Sequence, residues 1–143
     1  EVYQMRERLE PLLLRYAAPK LDEADLGRLA ELAQRISDAG DDTDTFLRLD
    51  REFHLASYAP AETSQLDPLV RKLWNTTAPY RRAYVSTWDP DARRIAHEEH
   101  HLMVSALKDG DIEEAERVLG GHIRRTRRHL ARAPHIFDGS PTP

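Results

Sequence analysis

Asp50 and His54 lie four residues apart in a stretch whose apolar residues recur at helical spacing. On a helix this spacing puts a carboxylate and an imidazole on one face, one turn apart. The same face carries Phe46, Leu49 and Phe53, which turns both ionisable groups towards a core. A buried carboxylate requires a cation or hydrogen-bond donors. The pair therefore indicates either a metal site or a buried polar pair whose hydrogen bonds are satisfied within a helical bundle.

Histidines later in the chain are the other candidate ligands. His100 shares a helical face with Met103 and Leu107, so we predict that it points into the core. His97 and His101 lie one above the other on the more exposed side. Those two could chelate a metal by themselves, but a solvated helix face is the commoner role of such a pair.

His122 follows the apolar residues Ala115, Val118 and Leu119 on another predicted helix. A lone histidine at such a position is more often a satisfied core residue, so its case depends on the other candidates. Three imidazoles and one carboxylate suit one divalent transition metal, Zn, Ni, Mn or Fe, and not the oxygen cage of Ca²⁺. Four protein ligands on an octahedral ion leave two positions for water or for the carboxylate of a ligand.

Composition narrows the class of protein. The 143 residues include no cysteine, which excludes disulfides and thiolate metal sites. No apolar run approaches the length of a membrane span, and no signal peptide opens the chain. A net charge of −4 argues against nucleic-acid binding by the domain as a whole. The one dense basic cluster has no interleaved aromatic residues and is typical of a solvated helix face: Arg124, Arg125, Arg127, Arg128 and Arg132.

Helical periodicity extends over almost the whole chain, and no alternating strand-like run competes with it. The first segment, about Val2 to Tyr16, contains Pro11, which predicts a kink or a junction. We predict an all-α antiparallel bundle of about six to seven helices over residues 1–133, with Pro134 to Pro143 as a loose tail. Helix-start signals are Asp22, the acidic run 41–44, Asp67-Pro68, Asp89-Pro90, and Asp111 with Glu114.

The order of these elements resembles the FCD ligand-binding domain of GntR-type transcription regulators, in the FadR branch. The resemblance extends from about Val2 to Leu130. One departure is the stretch after the third helix, where the family often has a turn like Ser-Gly-Asn and this chain has Thr63-Ser64-Gln65. The matching residues are Arg6-x-x-Leu9-Glu10, Asp50-x-x-Phe53-His54, Glu99-His100, Ala106-Leu107, Gly110-Asp111, Ala115 and His122-Ile123.

The resemblance implies an all-helical bundle that holds a metal through an aspartate and three histidines, here Asp50, His54, His100 and His122. It also implies a small organic acid as effector. DNA binding would then belong to a winged-helix domain that precedes such domains and is not in this chain. We expect a cytoplasmic homodimer without membrane contact, and no enzyme activity.

Two further expectations concern the ligand and the alternatives. Arg6 and Arg81 are candidates to clamp the free end of a carboxylate effector, although the solvated surface is the commoner place for arginine. A metalloenzyme that uses the same ion as a Lewis acid is the alternative function, with Glu52 or Glu99 as base. A structural bundle with a polar or metal-bound core and no ligand is a third possibility.

Overall fold

The computed structural model describes residues 1–132, and within them all regular structure is helical. The predicted all-α fold is confirmed, whereas the predicted tail lies outside the described residues. Within the described chain, no helix is both long and apolar enough to cross a membrane. The helices are α1 (Val2–Ala17), α2 (Glu23–Asp38), α3 (Thr43–Tyr58), α4 (Leu66–Val85), α5 (Pro90–Lys108) and α6 (Ile112–Arg132), with 3-10 turns at Ala18–Lys20 and Ala59–Ala61.

The helices enclose one core. Helix α1 packs against α6 and α4, α5 packs against α6 and α2, and α2 packs against α3. Each fully buried large apolar side chain stabilises such a fold by about 1.5–3 kcal/mol relative to an exposed one. The largest fully buried side chains are Trp74, Tyr58, Phe46 and Phe53.

Most of the predicted helix starts are confirmed by their capping bonds. The Asp22 and Asp25 side chains each accept a hydrogen bond from the other's backbone N–H, which is a reciprocal capping box at the start of α2. Asp42 caps α3 and Asp89 caps α5, with Pro90 in the first position of the helix. Asp111 accepts a hydrogen bond from the Glu114 N–H at 2.9 Å at the start of α6.

Helix α4 begins earlier than predicted. Its first residue is Leu66, and Asp67 lies in the first turn instead of capping it. The Thr63 hydroxyl accepts the Asp67 N–H at 2.9 Å and so satisfies one of the free donors of that turn. Pro68 fits there because the N–H that it lacks would have had no partner within the helix.

Pro11 neither breaks α1 nor divides it, because the helix runs unbroken from Val2 to Ala17. The missing N–H of Pro11 leaves the Glu7 carbonyl without its helical donor. Both groups face α6 at Gly120, where an added Cβ would lie 3.7 Å from Pro11 Cγ and 3.9 Å from the Glu7 oxygen. These are ordinary van der Waals distances, so α6 packs directly against the irregular turn of α1 at this point.

Met5, Leu12 and Tyr16 form an apolar stripe along one face of α1 by their spacing in the sequence, but the fold buries another face. Met5, Leu12 and Tyr16 are 41%, 39% and 53% exposed. The helix instead buries Arg6 and Glu10, whose side chains pair at 2.5 Å. Because the two charges satisfy each other, a face with two ionisable residues can lie inside the bundle.

Candidate metal centre

Three helices bring the four predicted metal ligands together. Helix α3 supplies Asp50 and His54 from successive turns, α5 supplies His100 and α6 supplies His122. One ligand atom from each residue lies within 4.8 Å of the others. The imidazole centroids form a triangle with sides of 5.3, 5.3 and 5.1 Å. Asp50, His54 and His100 are at most 3% exposed, and His122 is half-buried.

Asp50 is the buried anion of the group. Its Oδ1 lies 3.0 Å from His100 Nε2 and 3.6 Å from His54 Nε2, and its Oδ2 accepts a hydrogen bond from the Arg81 guanidinium. Burial raises the pKa of this carboxyl, but the Arg81 guanidinium, the hydrogen bond with His100 and the nearby His54 ring hold the pKa well below its usual range. Asp50 is therefore ionised at neutral pH, as a metal ligand must be.

In two of the histidines, Nδ1 points away from the centre and forms a hydrogen bond. His100 Nδ1 lies 2.7 Å from the Ala96 carbonyl oxygen, which only accepts, so Nδ1 carries the proton. His122 Nδ1 lies 2.7 Å from Glu99 Oε2 and likewise donates to an acceptor. As metal ligands, both rings would be neutral with the lone pair on Nε2, and for His100 this exchanges the 3.0 Å hydrogen bond between Nε2 and Asp50 Oδ1 for a bond to the ion. This tautomer, fixed from outside by a carbonyl or a carboxylate, is typical of metal-binding histidines.

His54 is oriented by a buried polar network on α1 and α3. Its Nδ1 lies 3.4 Å from the Tyr58 hydroxyl, which donates to Glu10 Oε2 at 2.8 Å. Burial lowers the pKa of His54 to about 4, so the ring is neutral at physiological pH. Its Nε2 atom is buried and has no hydrogen-bond partner among residues 1–132.

The residues fit a transition metal in three respects. The donor set is three imidazole nitrogens and a carboxylate oxygen, the kind that Zn, Ni, Mn and Fe accept. The buried Nε2 of His54 has no hydrogen-bond partner in the described part of the chain, which normally costs free energy unless some group binds it. A cavity of about 10 Å³ lies between His54, His100 and His122, with room for about one water-sized particle.

The other two histidines of α5 lie apart from this group, as their helical phase predicts. His101 is exposed, and its Nε2 lies 3.0 Å from the Ser37 hydroxyl. His97 is less exposed than predicted, because its ring packs on Phe46 with a centroid distance of 5.9 Å. Its position beside a core aromatic residue corrects the expectation of a fully solvated pair.

Both candidate effector arginines are buried beside the centre rather than on the solvated surface. The Arg6 and Arg81 guanidinium carbons lie 4.3 and 4.2 Å from the Trp74 ring centroid, at cation–π distance. Arg81 donates to Asp50, whereas Arg6 is held by Glu10 and by the Thr77 hydroxyl at 3.0 Å. Arg81 is therefore in direct contact with a candidate metal ligand, and Arg6 belongs to the network behind it.

Glu99 has a structural role that the sequence reasoning missed. It accepts from His122 and also from both terminal nitrogens of Arg125. Burial raises the pKa of Glu99, but the hydrogen bonds from His122 and Arg125 lower it to about 2. The sequence does contain the three residues: Glu99 on α5, and His122 and Arg125 one turn apart on α6. Their interaction can be predicted only when α5 and α6 are known to pack against each other.

Comparison with known proteins identifies the family of the chain. The family model described as the FCD domain matches residues 1–125. The chain is 28% identical over 115 residues to the HTH-type transcriptional regulator McbR of Escherichia coli K12, covering 79% of this chain and 52% of that protein. It is 24% identical over 144 residues to the Nta operon transcriptional regulator of Aminobacter aminovorans, covering 99% of this chain and 64% of that one.

Two solved structures share the fold. E. coli McbR/YncC superposes with a TM-score of 0.81 at 25% identity, covering 92% of this chain and 63% of that one. A GntR family member from Pseudomonas syringae superposes with a TM-score of 0.79 at 22% identity, covering 96% of this chain and 58% of that one. The latter likeness concerns the fold alone.

The chain spans about half to two thirds of the length of these relatives. Their names describe regulators of transcription, in agreement with the predicted family. The chain therefore belongs to the FCD family of ligand-binding domains in GntR-type transcription regulators.

Proposed function

We propose that this domain senses a small organic acid through one divalent transition metal held by Asp50, His54, His100 and His122. The observation that carries the proposal is the convergence of four buried or half-buried donors from three helices within 4.8 Å of one another. When bound, the metal supplies a compact positive charge with positions open to an effector carboxylate. The preference among Zn, Ni, Mn and Fe depends on supply as well as on these ligands.

Arg81 is the residue that links the metal ligands to the effector. It donates to Asp50 Oδ2 through one terminal nitrogen, whereas Oδ1 faces the histidines, so we propose that its other N–H groups donate to the effector. A guanidinium binds a carboxylate through two parallel hydrogen bonds, which fixes the orientation of the ligand as well as its charge. Arg6 holds Glu10 and Thr77 in the adjoining network, so we propose that it shapes the effector site through these contacts.

We further propose that effector binding alters DNA binding by a winged-helix domain outside this chain. The support is the family membership together with the partial coverage of the regulators that the chain resembles. Any such control requires that the effector bind two arrangements of the full-length protein with different affinities.

A homodimer remains a prediction, and we propose the outward face of α1 as its surface. Met5, Leu12 and Tyr16 share that face and expose more than a third of their surface each. A second copy would cover these apolar side chains. Light scattering on the chain and on Leu12→Glu tests this, since the variant should be monomeric where the parent is dimeric. A monomeric parent would contradict the proposal.

The effector proposal is tested by calorimetry with metal-loaded protein. Small di- and tricarboxylates should give a saturable signal with the parent chain and a much weaker one with Arg81→Gln. Arg71→Gln is the matched control, because among residues 1–132 Arg71 pairs only with Asp67, on the surface of its own helix. Absence of any signal from the parent, or equal affinity in Arg81→Gln, would contradict the assigned role.

A further inference from the structure

A second cleft lies outside the candidate metal centre. It has a volume of about 510 Å³ and is formed by the end of α4, the first turns of α5 and the last turns of α6. None of the four candidate metal ligands lines it. Its volume falls within the range of pockets that bind small molecules.

Positive charge in the cleft comes from one face of α6. Arg125, Arg128 and Arg132 follow one another at intervals of three and four residues, so their side chains share that face. Arg125 is committed to Glu99. Arg128 and Arg132 are exposed and make no hydrogen bond or ion pair with any residue in the described part of the chain.

The acidic residues of the cleft do not neutralise these two arginines. Asp89 accepts the Ala92 N–H at 2.7 Å as the cap of α5. Asp91 lies 3.6 Å from Arg94 on the same helix. The backbone bond leaves the charge of Asp89 in place, but the lining residues include four arginines against two aspartates, so positive charge is in excess.

The cleft also has an apolar wall. Tyr84 is buried and packs on the His129 ring with a centroid distance of 4.7 Å, while Ile95 is partly exposed to the cleft. Gly121 adds no side chain to the cleft, and apart from its own neighbours along α6 no atom of residues 1–132 lies within 4 Å of where its Cβ would be. Guanidinium groups that no described residue engages, beside an apolar wall, suit a ligand with an anionic head and an apolar body.

We propose that this cleft binds a small organic anion, whose phosphate or carboxylate head lies between Arg128 and Arg132. Guanidinium groups bind both kinds of oxyanion through paired, charge-assisted hydrogen bonds. The apolar part of the ligand lies against Tyr84 and Ile95. Arg125, which lines the cleft, and His122, a candidate metal ligand, both bind the Glu99 carboxylate, so Glu99 connects the two sites.

The test is calorimetry on the whole chain with three probes: phenyl phosphate, benzoate and inorganic phosphate. Phenyl phosphate or benzoate should bind, and whichever binds more tightly identifies the head group. Inorganic phosphate should bind more weakly than phenyl phosphate because it lacks the apolar part. The double variant Arg128→Gln/Arg132→Gln should lose at least tenfold in affinity for the preferred probe.

The matched control is Arg8→Gln/Arg35→Gln, which removes the same charge from exposed arginines away from the cleft. It should bind like the parent chain. Binding that is equal in the parent and in the Arg128/Arg132 variant would place the anion elsewhere and overturn the proposal. So would the absence of heat with all probes. Binding of a short DNA duplex that only the Arg128/Arg132 variant loses, with no binding of the small anions, would assign these arginines to nucleic acid instead.

Discussion

Replacement of His100 by alanine tests the candidate metal centre at the one ligand that α5 supplies. The change removes one of four protein ligands and leaves the Ala96 carbonyl without the donor at 2.7 Å. The second effect destabilises the chain with or without metal. The informative quantity is therefore the increase in melting temperature that metal produces in each protein, measured against its own metal-free form.

The expected size follows from ligand number. Four-ligand zinc sites in small peptides bind with roughly 10–16 kcal/mol, so one ligand corresponds to roughly 2.5–4 kcal/mol, or about 100-fold or more in affinity. With metal at 100 times the parent dissociation constant, the parent chain gains about 2.7 kcal/mol and the variant only about 0.4 kcal/mol. At about 3 °C per kcal/mol for a chain of this size, the metal-induced shifts are about 8 °C and about 1 °C.

The matched control is His101→Ala, one residue further along the same helix. His101 is exposed, so its loss should change stability by only about 0.5 kcal/mol and leave the metal-induced shift intact. Differential scanning calorimetry with and without added metal measures both quantities. If the His101 variant loses the shift while the His100 variant keeps it, the assigned ligand set is wrong.

Three more predictions follow from the same residues. Without metal, the free energy of unfolding should fall by up to roughly 3 kcal/mol as pH falls from 6.5 towards 4. The reason is that His54 takes up a proton near pH 6.5 in the unfolded chain but only near pH 4 in the folded chain. Urea titrations at several pH values should show this loss, and His54→Gln should reduce it. Glu99→Gln should weaken metal binding by about 10–100-fold in a competition assay with a chelator, since Glu99 orients His122; an unchanged affinity would contradict that role. His97→Ala should lower the melting temperature more than His101→Ala does without changing metal content, because only His97 packs on Phe46; equal melting temperatures would contradict it.

Local signals in the sequence predicted most of the helices and the inward direction of His100. Capping residues such as Asp22 and Asp89 act within three residues of themselves, so their effect is readable without the fold. The phase of α5 was readable because Met103 and Leu107 mark a single apolar face. Helix caps and helical phase are both set by residues close in sequence, so they can be predicted without knowledge of the fold.

The buried face of α1 was not readable in this way. Apolar residues lie all around that helix, and the face that is buried contains the Arg6–Glu10 pair. Charged residues normally indicate the solvated side, so the apolar stripe through Met5 and Leu12 misleads. The pair lies inside because Tyr58 and other residues distant in sequence complete its hydrogen bonds.

Contacts between helices account for the rest of what the sequence could not predict. The Arg81–Asp50 pair joins α4 to α3, and the chain from Arg125 through Glu99 to His122 joins α6 to α5. Nothing in the spacing of these residues indicates which acid meets which base. That information comes only from the packing of the helices, which also decides whether four candidate ligands form one site.

The most direct test of the central claim is a crystal structure of the chain purified without a metal-affinity tag, with anomalous scattering data collected at transition-metal absorption edges. We predict one anomalous peak per chain, at about 2.0–2.2 Å from a carboxylate oxygen of Asp50 and from a ring nitrogen of each of His54, His100 and His122. A peak between His97 and His101, or no peak at the four donors after soaking with Zn²⁺, Ni²⁺ and Mn²⁺, would contradict the proposed metal centre.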